Sequence, residues 1–81
     1  MEDELKKIFK NIFKIEEKKI NKKTNYKSIK NWDSLNHVKL VMAIESKFRI
    51  SIDPDQSINF LSYNTILNYL KKKLKNNIKI N

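Results

Sequence analysis

No glycine occurs anywhere in this chain, and proline occurs once, at Pro54. Two-residue type I′ hairpin turns need positive φ and are served mainly by glycine and asparagine, so hairpin-built sheets are poorly supported. Helices joined by polar loops are the architecture that remains. With 81 residues the chain is long enough for one domain and too short for two. A chain of this size buries only about 60% of its unfolded surface, so its core must be economical. Cysteine is absent, which removes disulfides and thiolate metal sites.

The helical period is visible directly. Leu5, Ile8, Phe9, Ile12 and Phe13 recur at i, i+3, i+4, i+7 and i+8, one face of an amphipathic helix. Glu2, Asp3 and Glu4 fall in its first turn, where carboxylates suit the positive end of the helix dipole. A first helix is predicted over about residues 2–15. Residues 16–33 read as a long polar connection, pinned onto the helices by Ile20, Tyr26, Ile29 and Trp32. Asp33 is the expected N-cap of a second helix that starts at Ser34 and ends near Phe48. After the extended, turn-like Arg49–Pro54 segment, Asp55 is expected to cap a short helical turn through about Phe60. Ser62 is expected to cap a last helix carrying Ile66, Leu67, Leu70 and Leu74. Residues 75–81 read as a frayed basic end. The sum is a single all-α domain, a small three- to four-helix bundle with a long loop between its first two helices.

Two apolar stripes emerge when residues 34–48 are wound at about 100° per residue. His37, Leu40, Val41, Ile44 and Phe48 make a core face. Leu35, Val38 and Met42 make a second stripe beside Ser34. By periodicity alone the second stripe is more often core; next to a reactive position it reads as a docking strip for a partner. His37, the only histidine, is expected to be a boundary core residue rather than a ligand. Trp32 has two readings, a partner contact or an aromatic folded back on the core.

The segment Trp32-Asp33-Ser34-Leu35-Asn36-His37-Val38-Lys39-Leu40, continuing to Phe48, resembles the core motif of acyl carrier proteins, an Asp-Ser-Leu triplet opening a helix with this apolar pattern downstream. Ile50-Ser51-Ile52-Asp53-Pro54-Asp55 is similar to the family's segment before its short third helix, and Ser62 through Leu70 to the start of its last. The resemblance spans essentially the whole chain and is strongest over residues 32–48. It implies a bundle of acyl-carrier-protein type, in which Ser34 carries 4′-phosphopantetheine transferred from coenzyme A by a magnesium-dependent phosphopantetheinyl transferase. It implies also that the arm's thiol holds an acyl or aminoacyl group as a thioester, loaded and passed on by partner enzymes. Asp33 is the flanking motif residue, and Leu35, Val38, Lys39, Met42 and Glu45 are the expected partner contacts.

The residue chemistry agrees with this role. A helix N-terminus favours an attached phosphodiester, and a chain without thiols needs a prosthetic group to supply one. Nothing close to Ser34 in sequence activates it as a nucleophile, so a non-catalytic carrier is expected rather than an enzyme.

Charge departs from the family. The formal net charge is +9, and 17 of the 18 cations are lysine. Over residues 34–48 two lysines face one glutamate, where acyl carrier proteins are rich in acids. The expected partners are therefore dedicated enzymes with less basic or acidic surfaces. The bias toward Lys, Ile and Asn, whose codons are A/T-rich, is also what a compositionally biased genome produces. Two rival readings follow: a small basic nucleic-acid-binding protein, suggested by Lys71-Lys72-Lys73, and a scaffold that lost carrier use. Against nucleic acid stand the single arginine, Arg49, and lysines scattered over every segment. The cluster itself reads as cations complementing the dipole at the end of the last helix. No stretch approaches the roughly 20 apolar residues of a membrane span, and the acidic N-terminal residues lack the form of an export signal, so a cytoplasmic monomer is expected.

Overall fold

The computed structural model describes the backbone of residues 1–80 and the side chains of residues 1–75. It is all-α. Helix α1 spans Glu2–Phe13, α2 Ser34–Phe48, the short α3 Pro54–Ser57 and α4 Tyr63–Ile80, with one 3₁₀ turn at Glu17–Lys19. No strand forms among the described residues; a single isolated antiparallel bridge joins Asn25 and Ser62.

Helix α1 ends two residues earlier than its periodicity predicts. Lys14 adopts a left-handed conformation (φ 58°) and returns its N–H to the Lys10 carbonyl. Arg49 closes α2 in the same way (φ 55°), with its N–H on the Glu45 carbonyl. Glycine takes this position in most proteins. Here no glycine is available, and ordinary residues with a Cβ bear the left-handed turn.

The long connection is built from local side-chain turns. Asn21 Oδ1 accepts from the Lys23 N–H and Asn25 Oδ1 from the Lys27 N–H, both at 2.8 Å. Thr24, a buried polar residue, lies between these turns. Its carbonyl accepts from the Tyr63 N–H, while the Tyr26 N–H donates to the Leu61 carbonyl. The loop is thus tied to the junction between α3 and α4. Ile20 and Ile29 are buried as expected and Trp32 is partly buried, but Tyr26 is exposed. Its backbone, not its ring, does the pinning.

Asp53, not Asp55, precedes α3, because Pro54 occupies the first helical position, where its missing N–H is harmless. Asp55 sits in the first turn, and the helix closes at Ser57 rather than Phe60. Ser62 does cap α4: its Oγ accepts from the Thr65 N–H at 3.1 Å. With α4 running to Ile80, Lys71–Lys73 lie in the helix interior, so the helix-end dipole explanation for this cluster does not hold. The frayed end expected over residues 75–81 lies, beyond Lys75, outside the described side chains.

One hydrophobic cluster joins the elements. Leu5, Phe9 and Phe13 from α1 meet Leu40 and Ile44 from α2 and Tyr63, Ile66, Leu67 and Leu70 from α4, with Ile20, Ile29, Ile52 and Phe60 closing the gaps. Tyr63 is only 1% exposed. Burial, and then the negative charges of Glu2 and Asp3, push its phenol up to about 12. The folded protein therefore keeps this proton at pH values where the unfolded chain, with its ordinary tyrosine near 10, releases it. The contribution is intact below pH 10 and is lost as pH rises from about 10 to 12, on the order of 2 kcal/mol. Lysines also titrate there, so the informative comparison is with Tyr63→Phe. Urea melts at several alkaline pH values should show a shallower loss of stability in that variant than in the parent.

Candidate functional site

The site is assembled around the start of α2. Asp33 is extended (φ −106°, ψ −176°), and its Oδ1 accepts from the Asn36 N–H at 2.9 Å, a side-chain N-cap. That places Ser34 at the first helical position, exposed to solvent. Among the described residues its Oγ makes no hydrogen bond, and the Ser34 and Leu35 N–H groups have no protein acceptor. A phosphodiester on this oxygen would lie at the positive end of a 15-residue helix, beside free donors. No side chain covers the hydroxyl, so the position fits such a group.

The chain leading to Ser34 is held from both sides. Asn36 Nδ2 donates to the Asn31 carbonyl at 2.8 Å, and Asn31 Nδ2 donates to the Phe13 carbonyl, in the last turn of α1, at 3.2 Å. Trp32 folds back onto the core, as one of its two sequence readings expects. Its ring lies 4.9 Å from Phe13 and 5.6 Å, edge-on, from Phe9.

His37 completes the frame. Trp32 Nε1–H donates to His37 Nδ1 at 3.0 Å, and His37 Nε2 is 2.8 Å from the Ser57 carbonyl. An indole nitrogen only donates and a carbonyl only accepts. The imidazole is therefore neutral with its proton on Nε2, which it gives to Ser57. One ring joins the pre-helix segment, α2 and the end of α3. Both nitrogens are engaged, so His37 is not placed to take a proton from Ser34. The boundary position expected from its helical angle is where it sits.

Around Ser34 the surface is apolar. Leu35 is 65%, Val38 54% and Met42 62% exposed, which overturns the core reading that periodicity alone favours for this stripe. The true core face of α2 is Leu40 and Ile44, with Val41 and Phe48 partly buried against it. A cleft of about 490 Å³ opens beside Ser34. Its walls combine Val38 and His37 of α2 with Tyr26 from the loop and Ile58 and Leu61 from the segment after α3. Asp33, Ser34 and Trp32 line it as well.

Sequence reasoning missed Tyr26, Ile58 and Leu61. Ile58 and Leu61 flank the buried Phe60 and carry no period of their own, so no pattern marks them as surface. Lys39, between Val38 and Leu40, is exposed. Glu45 lies about three turns from Ser34 along α2, and its Oε2 accepts from the Ile52 N–H at 2.8 Å. This carboxylate thereby fixes the chain that leads into α3.

No protein-family model matches the chain. No described helix is long and apolar enough to cross a membrane. Among the described residues no group of three or more histidines or carboxylates is arranged to hold a metal ion.

Proposed function

We propose that the protein is an acyl carrier: Ser34 bears a 4′-phosphopantetheine arm, and the chain presents the acyl or aminoacyl group on that arm to dedicated enzymes. The observation that carries the reading is the placement of Ser34, an exposed and unengaged hydroxyl at the first position of α2, bordered by an exposed apolar surface. When bound, the arm supplies the thiol that holds the cargo as a thioester. Attachment joins Ser34 Oγ to the phosphorus of coenzyme A that bears the pantetheine. The pyrophosphate bond breaks, 3′,5′-adenosine bisphosphate leaves, and the serine proton is lost to the transferase, whose magnesium would supply charge stabilisation for the leaving group.

The chain's own residues position rather than catalyse. Asp33 holds the helix start, Asn31 and Trp32 fix the segment before it, and His37 locks that segment to α3. A hydroxyl without an activating base suits modification by another enzyme. Leu35, Val38 and Met42, with Lys39 among them, supply the contact surface for the partner enzymes. The lysine-rich surface favours partners with acidic rather than basic docking faces.

Coexpression with a broad-specificity phosphopantetheinyl transferase, followed by intact-mass measurement, tests the reading. The parent protein should gain one phosphopantetheine, and Ser34→Ala should gain none while keeping the parent's melting temperature. A parent chain that stays unmodified while a known carrier in the same cells is converted would contradict it.

A further inference from the structure

A second cleft, of about 410 Å³, lies between α4 and the α3 segment, and shares no lining residue with the one beside Ser34. Thr65, Tyr69, Lys72 and Lys73 recur along α4 at i, i+4, i+7 and i+8, so they lie along one face while Ile66, Leu67 and Leu70 point into the core. Opposite them stand Gln56, Asn59 and Phe60. The wall from Thr65 to Lys72 is about 10 Å long at 1.5 Å per residue.

Three kinds of chemistry meet here. Lys72 and Lys73 bring positive charge; the cleft contains no carboxylate, and among the described residues neither lysine has an ion-pair partner. Tyr69, partly buried and packed edge-on against Phe60 at 5.0 Å, provides an aromatic surface held in place. Gln56, Asn59 and Thr65 add neutral donors and acceptors. The volume falls in the range of small-molecule sites, roughly 300–1,000 Å³.

We propose that this cleft binds a nucleotide: its phosphates on Lys72 and Lys73, its base against Tyr69, the base edge toward the amides of Gln56 and Asn59. Inorganic pyrophosphate would use only the lysines, and a nucleoside only the ring and amides. A nucleotide uses all three, through charge-assisted hydrogen bonds at one end and stacking at the other. The site is independent of the carrier reading, since Ser34 is not among its lining residues.

Titration of the ¹⁵N-labelled protein with ATP, pyrophosphate and adenosine, followed by amide chemical shifts, tests the proposal. ATP should give saturable shifts at Asn59, Thr65, Tyr69, Lys72 and Lys73, with affinity at least about tenfold above either fragment. The pair Lys72→Gln and Lys73→Gln should weaken ATP binding at least about tenfold, because surface lysines can be changed without loss of the fold. Ser34→Ala should leave it unchanged. Pyrophosphate binding as tightly as ATP, or shifts spread equally over the lysines of α1 and the long loop, would overturn the proposal in favour of a general polyanion surface. So would the absence of saturation at about 10 mM ATP, a level that even millimolar affinity satisfies.

Discussion

Phe9→Ala is expected to remove about 3–5 kcal/mol of stability, the range for truncating a fully buried phenylalanine. The side chain is 0% exposed and sits where three elements meet. Its ring lies 5.5 Å from Phe13, 5.6 Å from Trp32 and 5.4 Å from Tyr63, the last two edge-on. Edge-to-face pairs of this kind add about 0.5–1.5 kcal/mol beyond simple burial. At 0.05–0.15 kcal/mol per residue, an 81-residue chain has roughly 4–12 kcal/mol in total. The substitution therefore removes a quarter of the stability or more, and a melting point lowered by more than about 12 °C follows from the usual conversion. Because Trp32 leads directly into Ser34, the loss spreads to the site. Phe9→Leu retains most of the volume and should recover much of the difference in a urea melt. A loss below about 1 kcal/mol for the alanine variant would show that this aromatic junction is not what holds α1 to the rest.

His37→Phe should cost about 2 kcal/mol although it keeps a flat ring of similar size. The imidazole lies edge to edge with the Trp32 ring and nearly in its plane (centroids 6.3 Å apart, planes 26° apart), and phenylalanine can occupy the same place. What it cannot do is accept from Trp32 Nε1–H or donate to the Ser57 carbonyl. Both bonds are partly buried, and each orphaned group costs about 1–3 kcal/mol, less where water reaches it. The sharper readout is hydrogen exchange of the single indole N–H, which should accelerate about tenfold if about 1.4 kcal/mol of local protection is lost. The parent's slow indole exchange and the variant's fast exchange would together identify His37 as the tether. Equal exchange in both would contradict it, and would return the histidine to simple packing.

Helix positions were legible wherever a side chain made its own hydrogen bond. Asp33 and Ser62 mark the starts of α2 and α4 because each carries an oxygen suited to capping, and both accept the bond that the sequence implies. Apolar spacing likewise located Leu5, Phe9, Leu40, Ile44, Ile66 and Leu70 in the core. Helix ends were harder to read. In a chain without glycine, nothing in the residue types distinguishes Lys14 and Arg49 from the other cations, yet these two adopt positive φ and stop their helices. Around Ser34, the exposed serine and the Leu35–Val38–Met42 stripe were visible in sequence, but the fate of that stripe was not. Periodicity gives the angle of a side chain about its helix and says nothing about which neighbour arrives to cover it. The long loop packs Trp32 against α1 and leaves Leu35, Val38 and Met42 bare. Tyr26, Ile58 and Leu61 join the cleft through backbone pairing between the loop and the α3–α4 junction, a long-range contact without a local signature.

The charge of the molecule bears on its partners more than on its fold. No described lysine or arginine makes an ion pair in the core, and the pairs that form, such as Lys18 and Lys19 with Glu16, are exposed and worth little. A surface of this sign raises encounter rates with acidic faces and lowers them with basic ones, an effect that salt weakens.

The central proposal concerns one oxygen, and peptide mapping after labelling interrogates it most directly. The folded protein would be incubated with a phosphopantetheinyl transferase, magnesium and a fluorescent coenzyme A analogue, then digested and fragmented by mass spectrometry. A single label is expected, on Ser34, with none taken up by Ser34→Ala. Label carried by any other residue, or a parent protein left bare under conditions that convert a known carrier, would contradict it.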